Sequence, residues 1–283
     1  MNRTVYVDGD YRSEEDATVS IFDRGFLFAD AVYEVIPVLE GKLLDLEGHL
    51  QRLQRSLHEL DMTPPLTADE LVAILAKLTV LNSLEEGMIY LQITRGSGDR
   101  DFLIQPMDPL LVVFTQTKSL RETASARDGI AVITLPDLRW SRRDIKTTQL
   151  LYPSLAKSRA VKAGAQDAWM VEDGIVTEGT SNNAFIVTND GVVRTRPLST
   201  DILHGITRAA ILECAAELDL TFEERAFSVK DAQNASEAFI TAASLAATPV
   251  VSIDGCPVGN GKPGPIATRL REIYITNSLA AAK

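Results

Sequence analysis

The sequence predicts a two-domain protein of the α/β class, or α+β by some definitions, from three observations. The chain has 283 residues, enough for one large or two medium domains, with 45% hydrophobic and 24% charged residues. Short strand-like runs alternate with helical segments in both halves. A polar stretch poor in aromatic residues, 119–129, separates the halves. We therefore predict a small α/β domain over 1–118, an interdomain linker over 119–129 and a large domain over 130–283.

Two helices and four strands are predicted in the first half. Leucine recurs at alternating four- and three-residue spacing from Leu46 to Leu60, which predicts an amphipathic helix within residues 43–60. A second helix is predicted from Thr67 to Leu81, because Thr67 can cap it together with Glu70 three residues later. The predicted strands are Thr4–Val7, Val32–Leu39, Met88–Arg95 and Leu110–Thr117.

The second half carries the same mixture of elements. Turn signals at Asp173-Gly174 and Asn189-Asp190-Gly191 separate its apolar runs. The predicted strands are Ile130–Leu135, Asp167–Val171, Ile175–Glu178, Asn183–Val187 and Glu237–Ile240, and the predicted helices are Tyr152–Ala163, Thr207–Asp219 and Thr268–Asn277.

Composition argues against several classes of function. The formal net charge of −11 repels phosphate backbones, so we expect no nucleic-acid partner. No apolar run approaches the roughly 20 residues that span a bilayer, and the N-terminus shows no signal-peptide pattern. Cys214 and Cys256 are far apart in sequence, and neither they nor the three histidines have metal-ligand spacing. We therefore expect a cytoplasmic protein with no membrane association and no metal site.

Three segments offer chemistry. Lys146 stands among small and apolar residues between a predicted strand and a predicted helix. Glu178 ends a strand and precedes a polar turn, whereas Gly205 opens a helix whose free backbone amides favour an anion. Taken singly, each is ordinary: a surface lysine, a turn and a helix cap. Together they supply what pyridoxal 5′-phosphate (PLP) requires, namely an imine partner, a counter-ion for the pyridine nitrogen and a phosphate seat.

At these residues the chain resembles the fold type IV PLP enzymes, and within them the D-amino-acid aminotransferases. The resemblance covers nearly the whole chain, from Val5 to Val250. It implies the two-domain architecture of that fold type and PLP as the cofactor. The most specific matching stretches are Arg139-Trp140, Asp144-Ile145-Lys146, Leu155-Ala156-Lys157, Ala163-Gly164-Ala165 and Thr177-Glu178-Gly179.

The resemblance also implies a role for each matching residue. Lys146 is the catalytic residue, which forms the aldimine with PLP and shuttles the proton. Glu178 pairs with the pyridine nitrogen, and Arg52 reaches the phosphate. The other cofactor-binding positions are Ser181, Asn182, Leu203, Ile206, Thr207, Thr241 and Ser244. Relatives place hydroxyl residues where this chain has Ala242 and Ala243, so backbone amides or the flanking Thr241 and Ser244 are expected to replace them.

The substrate side departs from the family pattern. The resemblance implies that Tyr33 lines the substrate and that Arg100 grips its carboxylate. The family motif in this loop is Arg-x-His, whereas this chain has Phe102 two residues after Arg100. Because phenylalanine cannot donate a hydrogen bond, we expect weaker carboxylate binding and some tolerance of uncharged amines. The alternative is that Phe102 turns into the core and another cation, Arg24 or Arg139, completes the carboxylate site.

The implied function is transamination between a D-amino acid and a 2-oxo acid such as pyruvate or 2-oxoglutarate. The resemblance further implies a homodimer, with the site near the domain interface and the arginine loop supplied by the partner subunit. Three alternatives stay open: an (R)-amine or branched-chain aminotransferase, an aminodeoxychorismate-type lyase, and a PLP-binding scaffold without turnover. The complete set of Lys146, Glu178 and Arg52 weighs against the scaffold, and Arg100 favours the D-amino acid.

Overall fold

The computed structural model describes residues 3–282, and the chain divides into two compact units. The first unit contains the residues up to Ser119, the short segment Ile145–Gln149 and the chain end from Ala281. The second contains Leu120–Asp144 and Leu150–Ala280. Lys146 was expected in the large domain, whereas its contacts group it with the first unit. The reason is that Ile145–Gln149 forms backbone hydrogen bonds with a strand of that unit.

The first unit is built on one antiparallel sheet of six strands. Its order is β2-β1-β6-β5-β3-β4. Alternate residues of β5 and β6 are buried over most of their length, whereas seven of the nine residues of β3 are buried. The strands are β1 (Thr4–Val7), β2 (Asp10–Ser13), β3 (Ala31–Leu39), β4 (Lys42–Leu43), β5 (Glu86–Thr94) and β6 (Leu110–Thr117).

Three helices accompany this sheet: α1 (Arg24–Phe28), α2 (Leu46–Glu59) and α3 (Ala68–Leu81). The predicted cap of α3 is confirmed, because the Thr67 side chain accepts from the Glu70 backbone N–H and the Glu70 carboxylate accepts from that of Thr67. The buried face of α2 is not purely leucine. It also holds His49, Arg52 and Ser56, three polar residues one or two helical turns apart.

The second unit is built on a mixed sheet of nine strands. Its path is β12-β11-β10-β13-β14-β7-β8-β9, and β15 pairs with β14. The strands are β7 (Ile130–Pro136), β8 (Asp167–Glu172), β9 (Ile175–Gly179), β10 (Asn183–Val187), β11 (Val193–Thr195), β12 (Phe222–Glu224), β13 (Glu237–Ala242), β14 (Ala246–Ile253) and β15 (Cys256–Pro257). The helices are α4 (Ala124–Asp128), α5 (Leu151–Lys162), α6 (Ile206–Glu217), α7 (Val229–Gln233) and α8 (Pro265–Ala281).

Two main hydrophobic clusters pack on this sheet. One joins Trp169 and Phe227 with aliphatic strand residues and an alanine of α7. The other packs Ile211 of α6 and Leu270 of α8 against Phe185 and its neighbours. Because strands such as β10 are buried on both faces, they read as continuous apolar runs in the sequence.

Some elements were not predicted. The largest is β14, which lies between β13 and β7 although it contains Pro249. Proline normally argues against a central strand because it cannot donate a ladder hydrogen bond. The pairing of β14 with β7 shifts register between Val250 and Ser252. The predicted linker also contains the short helix α4.

Within residues 3–282, no helix combines the length and the apolar character required to cross a membrane. Across the same residues, no cluster of three or more histidine, cysteine, aspartate or glutamate side chains is arranged to hold a metal ion.

Candidate active site

Lys146 lies on a short segment that pairs with β3 in the first unit. Its carbonyl accepts from the Tyr33 backbone N–H at 3.0 Å, and Thr147 forms an isolated antiparallel bridge with Val32. The Lys146 backbone N–H donates to the Ser56 hydroxyl on α2 at 3.3 Å. Its ammonium Nζ stands 4.2 Å from the centre of the Tyr33 ring. The strand and the helix therefore fix the backbone of Lys146 and leave its side chain against an aromatic face.

An aromatic stack supports that face. The Tyr33 ring stacks on Tyr90, with centroids 5.5 Å apart, and Tyr90 stacks on Phe114 at 4.8 Å. The Tyr90 hydroxyl donates to the Gln92 side chain at 2.7 Å. Burial raises the pKa of Tyr90 well above its ordinary value, so this ring stays neutral. Three adjacent strands thus hold Tyr33 in place beside Lys146.

On the helix side of β3, Glu34 is fully buried. Its carboxylate accepts from Arg52 Nε and Nη2, each at 2.7 Å, and lies 2.7 Å from His49 Nδ1. Burial by itself raises the pKa of Glu34, but Arg52 and His49 outweigh it and lower the pKa to about 2. Glu34 is therefore ionised at neutral pH, and it holds Arg52 through two parallel hydrogen bonds.

The loop that carries Arg100 is exposed and lined with rings. The Arg100 guanidinium carbon stands 5.4 Å from the centres of both Phe28 and Phe102, which contact each other edge to face at 5.7 Å. Phe102 is 79% exposed, so it does not turn into the core. Arg24 donates to the Asp101 carbonyl at 2.7 Å and to Asp30 at 2.8 Å. Arg24 thus holds the backbone of the loop.

Glu178 is the buried carboxylate of the second unit. It accepts from Arg139 Nη1 at 2.5 Å, from the Asn183 amide at 3.0 Å and from the Leu203 backbone N–H at 3.0 Å. Arg139 is fixed in turn by Asp137, which accepts from its Nε and Nη2. Burial raises the pKa of Glu178 above its ordinary value, against the opposing effect of Arg139.

The start of α6 lies close to this carboxylate. The N-cap is Gly205, which has no side chain to cap the helix, and a Cβ there would stand 2.0 Å from Asn183 Oδ1. Asn183 pairs with Thr241 across β10 and β13. The hydroxyls of Thr207 and Thr241 are buried and have no hydrogen-bond partner among the described residues. Backbone amides and two unpaired hydroxyls are suited to an anion such as a phosphate.

The remaining predicted positions of the second unit occupy different surroundings. Ser181 is exposed, whereas the Asn182 amide donates to buried Asp167 at 2.7 Å. Leu203 contributes its backbone N–H to Glu178. Ile206 opens α6, and Ser244 lies half-buried in the turn between β13 and β14. Cofactor binding by Ser181, Asn182, Leu203, Ile206 and Ser244 stays a prediction.

The residues around Glu178 and the start of α6 fit two parts of PLP, the pyridine nitrogen and the phosphate. Glu178 would hold the pyridine nitrogen, because a buried carboxylate with a raised pKa is a strong acceptor for an N–H group. The amides at the start of α6, with Thr207 and Thr241, would hold the phosphate. The two orphaned hydroxyls carry this fit, because a buried hydroxyl without a partner costs free energy unless a ligand uses it.

Several supporting residues were missed from the sequence. Glu34 and His49 were not singled out, although polar residues on the core-facing side of a helix are a recognisable signal. Asn183 was taken only as the start of a strand. Arg139 was considered for the substrate carboxylate, whereas it is engaged by Asp137 and Glu178. These roles depend on pairs distant in sequence, which local patterns do not reveal.

The family comparison agrees with this chemistry. The model of the amino-transferase class IV family matches residues 31–253. The chain belongs to the class IV aminotransferases. The matched region contains the predicted site positions Tyr33, Arg52, Lys146, Glu178 and Thr241.

Two curated relatives match nearly end to end. The D-alanine aminotransferase of Staphylococcus aureus (strain MSSA476) is 38% identical over 270 residues, which is 95% of this chain and 95% of the relative. The D-alanine aminotransferase of Bacillus licheniformis is 37% identical over 276 residues, 97% of this chain and 96% of the relative.

Solved structures share the fold. The branched-chain amino acid aminotransferase of Escherichia coli superposes with a TM-score of 0.89 at 24% identity, covering 98% of this chain and 95% of that structure. The branched-chain aminotransferase of the archaeon Thermoproteus uzoniensis, solved with norvaline, superposes with a TM-score of 0.88 at 25% identity. The match covers 99% of this chain and 96% of that structure. These likenesses establish the fold type IV architecture for this chain.

Proposed function

We propose that this aminotransferase uses PLP to move an amino group between a D-amino acid and a 2-oxo acid such as pyruvate or 2-oxoglutarate. The observation that carries the proposal is the group of Glu178, Thr207 and Thr241, which offers a carboxylate and two unpaired hydroxyls to one ligand. Identities of 37–38% with D-alanine aminotransferases favour a D-amino acid.

The cofactor supplies an electron sink that accepts the negative charge left when the substrate loses its α-proton. Lys146 supplies the amine that anchors the cofactor, and its Nζ takes the proton from the substrate α-carbon. Glu178 would hold the pyridine nitrogen in its charged form, which would make the cofactor a stronger electron sink. Arg139 orients Glu178, because Asp137 and Glu178 bind different nitrogens of its guanidinium.

Tyr33 is proposed to line the substrate side, since its ring face is already turned to Lys146 Nζ. Arg100 is proposed to bind the substrate carboxylate, with Phe102 forming an apolar rim. An arginine held against aromatic rings keeps its hydrogen-bond donors in the guanidinium plane, where a carboxylate can accept two of them. A homodimer is proposed on the sequence resemblance, and a cytoplasmic location on the two cysteines, which lack metal-ligand or redox spacing.

A branched-chain aminotransferase is the second candidate, favoured by the TM-score of 0.88 with the Thermoproteus uzoniensis enzyme. The identity behind that score is 25%, against 38% for the D-alanine relative. The greater identity therefore favours the D-amino acid. An aminodeoxychorismate-type lyase shares the cofactor chemistry but would release pyruvate without an amino acceptor.

The test mixes the PLP-loaded enzyme with one amino donor at a time and follows the absorbance of the bound cofactor. The donors are D-alanine, D-glutamate, L-leucine and (R)-1-phenylethylamine. We expect the D-amino acids to convert the cofactor fastest and pyruvate to restore it. Faster conversion by L-leucine would instead establish the branched-chain reaction. Pyruvate formed from aminodeoxychorismate without an acceptor would establish the lyase.

A further inference from the structure

Two buried arginines and one aspartate form a cluster that is hydrogen-bonded to the loop carrying Arg100. Arg24 and Arg95 are 5% and 7% exposed, and each donates from Nε to Asp30 Oδ2 at 2.8 Å. The cluster and the loop belong to the first unit. Burial raises the pKa of Asp30, but the hydrogen bonds from Arg95 and Arg24 outweigh it and lower the pKa below its ordinary value. Asp30 is therefore ionised at neutral pH and compensates two positive charges.

The outer nitrogens of Arg95 are fixed to the end of α2. Nη2 donates to the Leu60 carbonyl at 2.8 Å, and Nη1 donates to the Asp61 carbonyl at 3.4 Å. Leu60 is the C-cap of α2, where carbonyls lack partners within the helix and a cation is favoured. Arg95 also follows β5 directly, and its backbone N–H donates to the Asp30 carbonyl at 3.1 Å. Arg95 is thus held by a helix end and a strand end.

The outer nitrogens of Arg24 reach the loop. Nη1 donates at 2.7 Å to the carbonyl of Asp101, the residue after Arg100. The guanidinium carbons of Arg24 and Arg100 stand 4.4 and 5.4 Å from the centre of the same ring, that of Phe28. The Arg24 backbone N–H donates to the Gly96 carbonyl at 2.9 Å, so the start of the loop is held as well. Arg24 therefore affects Arg100 through the loop backbone and through a shared ring.

Asp30 is the common partner of the two arginines. A guanidinium is planar, so the hydrogen bond from Arg24 Nε to Asp30 limits where its Nη1 can point. Two guanidinium groups that meet at one oxygen repel each other unless that oxygen is negatively charged. We propose that Asp30, by joining Arg24 to Arg95, positions the loop that binds the substrate carboxylate. Asp30 is thus a positioning residue that acts through Arg100, and the inference rests on the proposed function of Arg100 as the carboxylate ligand.

The test compares an amino donor that has a carboxylate, D-alanine, with one that has none, (R)-1-phenylethylamine. Steady-state kinetics are measured on the full-length enzyme loaded with PLP. Asp30→Asn keeps the shape of the side chain but removes its charge. We expect it to raise KM for D-alanine about tenfold, because the carboxylate contact is displaced but not removed. The kcat for D-alanine and the KM for the amine should stay close to wild type, because the change is confined to that contact.

Arg24→Lys tests the other side of the link. Lysine keeps the positive charge, but its single amino group cannot hold Asp30 and Asp101 in the fork geometry of a guanidinium. KM for D-alanine should therefore rise by a similar factor. This variant decides the matter if Asp30→Asn does not fold.

Double variants separate positioning from a general structural effect. Combining Asp30→Asn or Arg24→Lys with Arg100→Ala should raise KM for D-alanine no further than Arg100→Ala alone, because the effect acts through Arg100. This measurement needs only D-alanine, so it is decisive even where the amine reacts too slowly to measure.

A largely exposed ion pair of the same residue types provides the controls. Arg12 donates to Asp10 at 2.8 Å on β2, and the two side chains are 36% and 67% exposed. Asp10→Asn and Arg12→Lys repeat the two substitutions away from the cluster. They should leave KM and kcat unchanged for both donors.

Three outcomes separate the possibilities. If Arg100→Ala leaves KM for D-alanine unchanged, Arg100 does not bind the carboxylate, and this part of the proposed function fails. If Arg100→Ala raises KM but Asp30→Asn and Arg24→Lys do not, the positioning role is wrong and the function of Arg100 stands. An equal rise in KM for the amine, or a further rise in the double variants, also overturns the positioning role, because the effect is then structural.

Discussion

Glu34 and Glu178, in different units, are both buried glutamates that face an arginine, yet their pKa values move in opposite directions. Burial raises both. At Glu34 the two donors of Arg52 and the contact with His49 outweigh it, and the pKa falls to about 2. At Glu178 the donors are one nitrogen of Arg139, the Asn183 amide and the Leu203 N–H. They do not outweigh the effect of burial, so the pKa of Glu178 stays above its ordinary value.

The difference indicates two uses of a buried carboxylate. Glu34 accepts two hydrogen bonds from one edge of Arg52 and lies against His49, so it is suited to holding a side chain in place. Glu178 shares Arg139 with Asp137, and its negative charge is less fully compensated. A carboxylate in that state gains from a further cation, such as a protonated pyridine nitrogen. We therefore expect changes at Glu178 to affect chemistry and changes at Glu34 to affect stability.

The largest effect is expected at Lys146, without which neither carboxylate can support a reaction. Lys146→Ala should abolish the absorbance of the lysine-bound cofactor. It should also lower kcat by about 10²- to 10⁴-fold from the lost proton transfer alone. Lys162→Ala, an exposed residue of α5, is the control for removing a lysine. Wild-type turnover by Lys146→Ala without added amine would exclude Lys146 as the catalytic residue.

Glu178→Gln sharpens the comparison most directly. It should lower kcat by about 10²- to 10³-fold at saturating PLP, because the charge that stabilises the transition state is lost. Glu34→Gln at saturating PLP should leave kcat close to wild type. Steady-state kinetics with D-alanine measure kcat for both variants. Glu272→Gln, at an exposed position of α8, is the control. If Glu178→Gln loses PLP but the loaded fraction turns over normally, Glu178 is structural.

Arg100 differs from Arg52 and Arg139 because it packs against aromatic rings instead of pairing with a buried glutamate. Arg100→Ala should raise KM for D-alanine by roughly 10- to 150-fold, equivalent to about 1.5–3 kcal/mol of a charge-assisted hydrogen bond. KM for (R)-1-phenylethylamine should hardly change, since it has no carboxylate. Phe102→His should lower KM for D-alanine. Arg12→Ala in β2 is the matched control, and unchanged D-alanine kinetics in Arg100→Ala would place the carboxylate site elsewhere.

A separate effect, on stability instead of catalysis, is expected for the cofactor-free chain in acid. The folded-state pKa of Glu34, about 2, lies below its ordinary value of 4.5. Its stabilisation is therefore complete above pH 4.5 and is lost as the pH falls toward 2. Glu34→Gln should reduce the free energy of unfolding at pH 6 by about 3 kcal/mol, a difference that narrows at more acid pH. Urea unfolding at several pH values measures this, and a difference that stays constant into strong acid would contradict the assignment.

Much of the fold follows from local patterns. The strand β6 has the predicted bounds, and β3 and β9 differ from theirs by one residue. The capping box of α3 follows from Thr67 and Glu70 because its partners are three residues apart. In contrast, β14 was not predicted; Pro249 is unusual in a central strand, and the pairing of β14 with β13, β7 and β15 reveals it.

The sequence by itself determined the family and most of the helices and strands, and it predicted the residue types of the site. Helix caps, periodicity and ordered motifs depend on neighbours along the chain, so they can be read without a structure. Only the tertiary structure decided that Arg52 is buried against Glu34, 18 residues away, and that Arg139 serves Glu178, 39 residues away. Burial and ion pairing depend on which surfaces pack together, and packing sets the opposite pKa shifts of the two glutamates.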